Sequence, residues 1–209
     1  EGFSHLMWVL LDNDDAAIVP SPSYPIHIYG PLFAGADLRQ VPMRFMADPD
    51  QRQHFADDFM DSLQTAWDVG WPKPRVLVMS FPHNPTGAIV DLAFIQRVVD
   101  FCREHEMVAV HDFAYADVGF DGHQPPSILQ AEGAKECAVE LYSMTKSFSM
   151  AGWRSAFLLG NADVVQALVK LKSYLDYGMF QPVQIAATVT INQQPDFPDE
   201  VRATYESRC

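Results

Sequence analysis

The sequence predicts an α/β fold in which a mainly parallel central sheet carries helices on both faces. Three observations predict it. Residues 16–19, 75–81, 107–110 and 138–142 are short, nearly continuous apolar runs, the pattern of strands buried on both faces. Between them lie segments with apolar residues at helical spacing, as crossover helices require when they return the chain to the next parallel strand. Finally, each strand runs into a stretch rich in turn formers and reactive side chains. In covered parallel sheets ligands bind beyond the carboxyl ends of the strands, so these stretches belong to one functional edge. The 209 residues, 48% of them hydrophobic and 20% charged, are enough for one large domain with a sizeable core over 1–209.

Taken in order, residues 1–11 read as a helix already under way. Phe3, Leu6, Met7 and Leu10 share one face, and no capping residue precedes them. A segment upstream is therefore expected to be missing. Residues 12–15 are a turn and 16–19 a buried strand ending at Pro20. In Ser21-Pro22-Ser23-Tyr24-Pro25 the prolines stiffen the backbone and aim Tyr24. A helix over 26–34, a strand over 38–41, a solvated loop over 47–54 and a helix over 55–68 follow. The strand at 75–81 stops at Pro82-His83-Asn84-Pro85-Thr86-Gly87, too rich in breakers to be regular. Residues 91–104 form an amphipathic helix with Leu92, Ile95, Val98, Val99 and Cys102 on one face. The strand at 107–110 runs into His111-Asp112-Phe113-Ala114-Tyr115. After the strand at 138–142 comes a loop carrying Lys146, then a second strand over 154–159 opened by Arg154. Helices are predicted over 162–174, 181–191 and 198–209, the first burying Val164, Val165, Leu168, Val169 and Leu171.

The chain is organised around Ser143-Met144-Thr145-Lys146-Ser147-Phe148-Ser149-Met150-Ala151-Gly152-Trp153-Arg154. A lysine binds an aldehyde only through its neutral amine, which partial desolvation beside another cation favours. Arg154 supplies a fork of donors and Ser143 a hydroxyl, a combination suited to a phosphate dianion. An amine beside a phosphate socket suggests pyridoxal phosphate. The other strand ends complete that chemistry. A carboxylate at Asp112 stabilises a protonated ring nitrogen, while the Asn84 amide and the Tyr115 hydroxyl suit a phenolate oxygen. Tyr24 is an aromatic plate for a planar ring.

These motifs together resemble the class I/II aminotransferases among the fold-type I pyridoxal-phosphate enzymes. The similarity is greatest to the bacterial alanine/glutamate–pyruvate transaminase group, related to the aspartate and diaminopimelate transaminases, and runs the length of the chain. It implies that Lys146 is the Schiff-base lysine, that Asp112 partners the ring nitrogen, and that Tyr115 and Asn84 meet the phenolic oxygen. It further implies that Tyr24 stacks on the ring and that Ser143 and Arg154 bind the phosphate, with Thr145 in support. His83 and Trp153 are read as structural. The implied reaction moves an amino group between an L-amino acid of alanine, glutamate or aspartate type and a 2-oxo acid. Family members are longer, so the chain is expected to be the large cofactor domain without its N-terminal segment and C-terminal small domain. They are homodimers, and Met179-Phe180 is expected near that contact.

Two other readings share these residues: a relative that performs β-elimination, such as a C–S lyase, and a ligand-sensing aminotransferase-like domain of a transcription regulator. The net charge of −13 argues against a nucleic-acid surface. No stretch is apolar for long enough to span a bilayer. Cys102, Cys137 and Cys209 are odd in number and lack metal-ligand spacing, which fits a reducing cytoplasm and no metal site.

Overall fold

The structure, a computed structural model, describes residues 1–43 and 54–209. The solvated loop expected over 47–54 thus lies, apart from His54, outside the described residues. Helix α1 (Gly2–Leu10) leads to β1 (Ala16–Ser21), α2 (Pro25–Phe33) and β2 (Asp37–Pro42). Next come α3 (Phe55–Asp68), β3 (Pro74–Met79), α4 (Leu92–Glu104) and β4 (Val108–Asp112). A 3₁₀ turn (Ile128–Gln130) and the short α5 (Ala134–Cys137), both absent from the sequence reading, precede β5 (Ala138–Ser143). Then follow α6 (Met144–Ser147), β6 (Ala156–Gly160), α7 (Ala162–Leu175), α8 (Gln181–Gln193) and α9 (Phe197–Glu206).

Local chemistry explains the helix starts. Pro25 sits at the first turn of α2, where its missing N–H costs nothing. The Asp91 carboxylate accepts from the Phe94 N–H at 2.8 Å, and the Asn161 side chain accepts from Asp163 and Val164, caps worth about 1 kcal/mol each.

Among the described residues six strands form one sheet in the order β2-β1-β3-β4-β5-β6. The first five are parallel and β6 runs antiparallel to β5. Side chains alternate between two cores, as the period of a strand demands. Ile18, Leu77, Met79 and Ala109 pack under α3 and α4 with Phe59, Leu63, Phe94 and Ile95, while Val19, Val76, Val78, Val110 and Val139 pack against Leu6 and Met7 of α1. Helices cover both faces, as the apolar runs foretold.

The structure corrects the sequence reading at three points. Lys146 stands on the single helical turn α6, because the Ser143 hydroxyl at the strand end accepts from the Thr145 N–H at 3.2 Å and starts a helix there. Arg154 precedes its strand. Gly152 (φ +87°) and Arg154 (φ +56°) adopt left-handed backbone that no extended ladder accommodates, so β6 begins at Ala156. On α7 the buried stripe is narrower than its spacing suggested: Leu168 is buried, whereas Val169 is 62% exposed.

The connection from β3 to α4 bonds to itself. The His83 N–H donates to the Ala88 carbonyl at 2.9 Å, the Gly87 N–H to the His83 carbonyl at 2.7 Å, and the Ala88 N–H to Thr86 Oγ1 at 3.2 Å. His83 Nδ1 faces Thr86 Oγ1 at 2.9 Å. Burial of this imidazole, with the nearby charge of His27 in second place, pushes its pKa down to about 4.

Two outcomes are expected. Gly160 lies at φ +129°, and a Cβ there would stand 2.3 Å from the Ala138 carbonyl oxygen. Gly160→Ala should lower the unfolding free energy by about 2 kcal/mol or more, read as a drop in urea midpoint. For His83 the unfolded chain takes up a proton near pH 6.5 and the folded chain only near 4, so the unfolded state binds more protons in between. Stability contributed by neutral His83 is complete above pH 6.5 and lost as pH falls towards 4, by up to about 3 kcal/mol. Urea titrations at both ends of that window should show a smaller loss in His83→Gln than in the unaltered protein.

Candidate active site

Parallel strands release their chains at one edge, and every predicted site residue lies on that edge. Tyr24 is the N-cap of α2, three residues beyond the end of β1. Asn84 lies in the self-bonded loop after β3. Asp112 is the last residue of β4, and Tyr115 follows it by one turn. Ser143 ends β5, and Lys146 stands one turn on. Because β6 is antiparallel, its start faces the end of β5, with Ser143 opposite Ala156. The Met144 N–H donates to the Ser155 carbonyl at 3.2 Å, which closes the loop and holds the Arg154 backbone beside the Lys146 turn.

Side chains from separate strands meet here. The Asn84 amide nitrogen donates to the Tyr115 hydroxyl at 3.3 Å, and Lys146 Nζ lies 5.8 Å from the Tyr115 ring centroid. An ammonium over an aromatic face is attracted to it by roughly 0.5–1 kcal/mol where exposed. The desolvation expected for Lys146 is not supplied by the described residues, since its side chain is exposed. Tyr24 is 47% exposed, and its ring meets the His27 ring edge-on at 5.9 Å. Ser143 Oγ donates to Thr145 Oγ1 at 2.9 Å, so Thr145 shares the turn with Ser143. Arg154 and Trp153 are exposed, and His83 is buried.

The sequence reading missed His27. This ring is buried on α2, and its Nε2–H donates to Asp112 Oδ2 at 2.8 Å, while Nδ1 faces the Ser23 hydroxyl at 3.1 Å. A signal was present: a serine two residues before the helix and a histidine in its first turn put a hydroxyl within reach of an imidazole. The imidazole anchors one oxygen of a carboxylate whose side chain is 20% exposed, leaving Oδ1 for a second donor. A carboxylate oriented in this way suits a cationic N–H, and an amide beside a phenol suits an oxyanion. The exposed amine of Lys146 stands over the Tyr115 ring, beside that amide and phenol.

A cavity of 530 Å³ lies elsewhere, lined by Asp117, Glu140, Tyr142 and Arg202 among others. It contains none of the predicted site residues and no lysine.

Known proteins resemble this chain in sequence and in fold. The family model for aminotransferase class I and II matches residues 1–208. The chain is 41% identical over 208 residues to the glutamate-pyruvate aminotransferase AlaC of Escherichia coli (strain K12), covering 100% of this chain and 48% of that protein. It is 37% identical over 208 residues to the LL-diaminopimelate aminotransferase of Desulforudis audaxviator (strain MP104C), covering 100% and 50%. Among solved structures, substrate-bound BacF from Bacillus subtilis superposes with a TM-score of 0.85 at 33% identity, covering 99% of this chain and 50% of that one. The chain spans about half the length of the curated relatives it matches. With a match from the first residue to residue 208, the chain belongs to the class I and II aminotransferase family.

Proposed function

We propose that the protein is a pyridoxal-phosphate-dependent aminotransferase that moves an amino group between an L-amino acid of alanine, glutamate or aspartate type and a 2-oxo acid. The observation that carries the reading is the meeting of Lys146, Tyr115, Asn84 and the His27-anchored Asp112 at one sheet edge. The alanine and glutamate preference leans on the resemblance to the E. coli protein, whose name gives glutamate and pyruvate. The reading of 1–209 as one large cofactor-binding domain rests on the same family likeness.

The residues fit such a group by their donor set. Asp112 would hold it at the ring nitrogen, Asn84 and Tyr115 at the phenolic oxygen, Tyr24 at the ring face, and Ser143 and Arg154 at the phosphate. Bound pyridoxal phosphate supplies the electron sink into which a substrate carbanion delocalises. The Asp112 carboxylate would favour a proton on the ring nitrogen, and the His27 Nε2–H fixes the orientation of that carboxylate. The Asn84 amide and the Tyr115 hydroxyl donate to an oxyanion without neutralising it. With the group bound, the Lys146 amine would hold it at its aldehyde carbon, would give way there to the substrate amine, and would then move the proton from the substrate Cα to the cofactor carbon. Its exposure is compatible with that exchange of partners.

We read the enzyme as a cytoplasmic homodimer. Cys102, Cys137 and Cys209 are free thiols, and no helix among the described residues is long and apolar enough to cross a membrane. Exposed Tyr174, Tyr177, Phe180 and Ile185, around and after Met179, support an interface there.

Two experiments test the proposal on the full-length protein. Borohydride treatment in the presence of pyridoxal phosphate should leave a pyridoxyl group on the peptide containing Lys146. Lys146→Ala should carry none and transaminate no faster than background; a label on another lysine would sink the assignment. Asp112→Ala should still take the label but lose about a hundredfold in kcat for the half-reaction with amino acid, roughly 2.7 kcal/mol of barrier. An unchanged rate would remove Asp112 from its role.

A further inference from the structure

Outside the atoms that meet in the site, the most constrained polar group is the Glu140 carboxylate. It projects from the middle of β5 into the sheet face under α4 and is 4% exposed. A buried carboxylate is tolerated only where donors replace its water, and three donors converge here. Ser127 Oγ donates at 2.9 Å, the Ile128 N–H donates to Oε2 at 2.9 Å, and His111 Nδ1 stands 3.1 Å from Oε2. His111, fully buried on β4, is opposite Glu140 in the strand register. Its other nitrogen faces β3: the Phe81 N–H donates to His111 Nε2 at 3.3 Å. An imidazole that accepts at Nε2 carries its proton on Nδ1, where the carboxylate receives it. Phe81 is the second residue beyond β3, at the point where the backbone ladder with β4 has ended.

We propose that His111 and Glu140 are positioning residues that set the contact between Asn84 and Tyr115. The proposal rests on the reading of those two as cofactor contacts. The imidazole accepts from a backbone donor of the loop that carries Asn84 three residues later. The carboxylate holds the far end of the segment that leaves β4 at Asp112, carries Tyr115 and returns at Ser127. That segment is also tied at its near end, where the Phe113 N–H donates to the Leu141 carbonyl at 2.9 Å. One buried pair thus fixes both arms of the 3.3 Å bond between Asn84 and Tyr115. Neither residue touches the site, so each acts through the loop it moors.

The test uses uniformly ¹⁵N-labelled full-length protein and follows amide exchange, histidine ring shifts and pyridoxal phosphate titration by absorbance. In unaltered apo protein His111 should be neutral with its proton on Nδ1. A ring protonated on Nε2, or on both nitrogens, overturns the proposal. Glu140→Ala should speed exchange at the Phe81 amide and weaken pyridoxal phosphate by about tenfold or more, with a shifted absorption band. Glu140→Gln, which keeps an acceptor oxygen for His111 and Ile128, should remain within about twofold. A folded Glu140→Ala with unchanged Phe81 exchange and unchanged affinity overturns the proposal. If Glu140→Ala fails to fold, the ring tautomer in the unaltered protein and the Glu140→Gln titration decide. If no variant, nor the parent, binds pyridoxal phosphate, the cofactor reading fails, while tautomer and exchange still judge the mooring of Phe81.

Discussion

A parallel sheet covered on both faces stops its hydrogen-bond ladder at a sharp line, and every backbone group beyond that line must find a new partner. In this chain the replacements are side chains and loop carbonyls: His111 for the Phe81 N–H, Ser143 for the Thr145 N–H, and the Leu141 carbonyl for the Phe113 N–H. The same line is where the reactive groups stand. Satisfying the backbone there and placing the chemistry there are one structural task, and the loops that carry Asn84, Tyr115 and Lys146 are ordered because they solve the first part of it.

The two cores divide the work. The face under α3 and α4 is rich in large aromatics, with Phe59 and Phe94 ring centroids 5.5 Å apart, and it also buries Glu140 and His111. The opposite face is built mainly of Val and Ala from the strands under Leu and Met from α1. A polar pair in the bulkier core is costly unless fully hydrogen-bonded, and this one has donors on both sides. On the other face His27 reaches Asp112 from α2, whose close approach to α1 depends on Gly30: a Cβ there would lie 2.8 Å from the Phe3 ring. Helix packing therefore delivers the imidazole to the carboxylate.

Much of this was legible in the sequence. Apolar runs gave the strands β1, β3, β4 and β5, and the residues at their ends are the candidate site, because strand period and strand end are local properties. What escaped notice depended on pairing between distant elements. His27 looks like any helical polar residue until β1 and β4 are known to share an edge, and Glu140 looks like a charge interrupting a strand until Ser127 and His111 are placed around it. Lys146 reads as a loop residue because a single helical turn has too few residues to show a period. Arg154 reads as the start of a strand because its left-handed backbone, in the turn with Gly152, is not written in its own side chain.

The reversal of β6 has a consequence for how this segment tolerates change in length. Only seven residues separate Lys146 from Arg154, and the strands on either side are locked in register from Ser143 opposite Ala156 to Val139 opposite Gly160. An inserted or deleted residue between them cannot slide into the sheet without turning the faces of β6 over. The turn would have to absorb it, moving the arginine relative to the lysine. The distance between these two cations is thus counted in chain length, while substitutions at the exposed positions of the turn leave that count untouched.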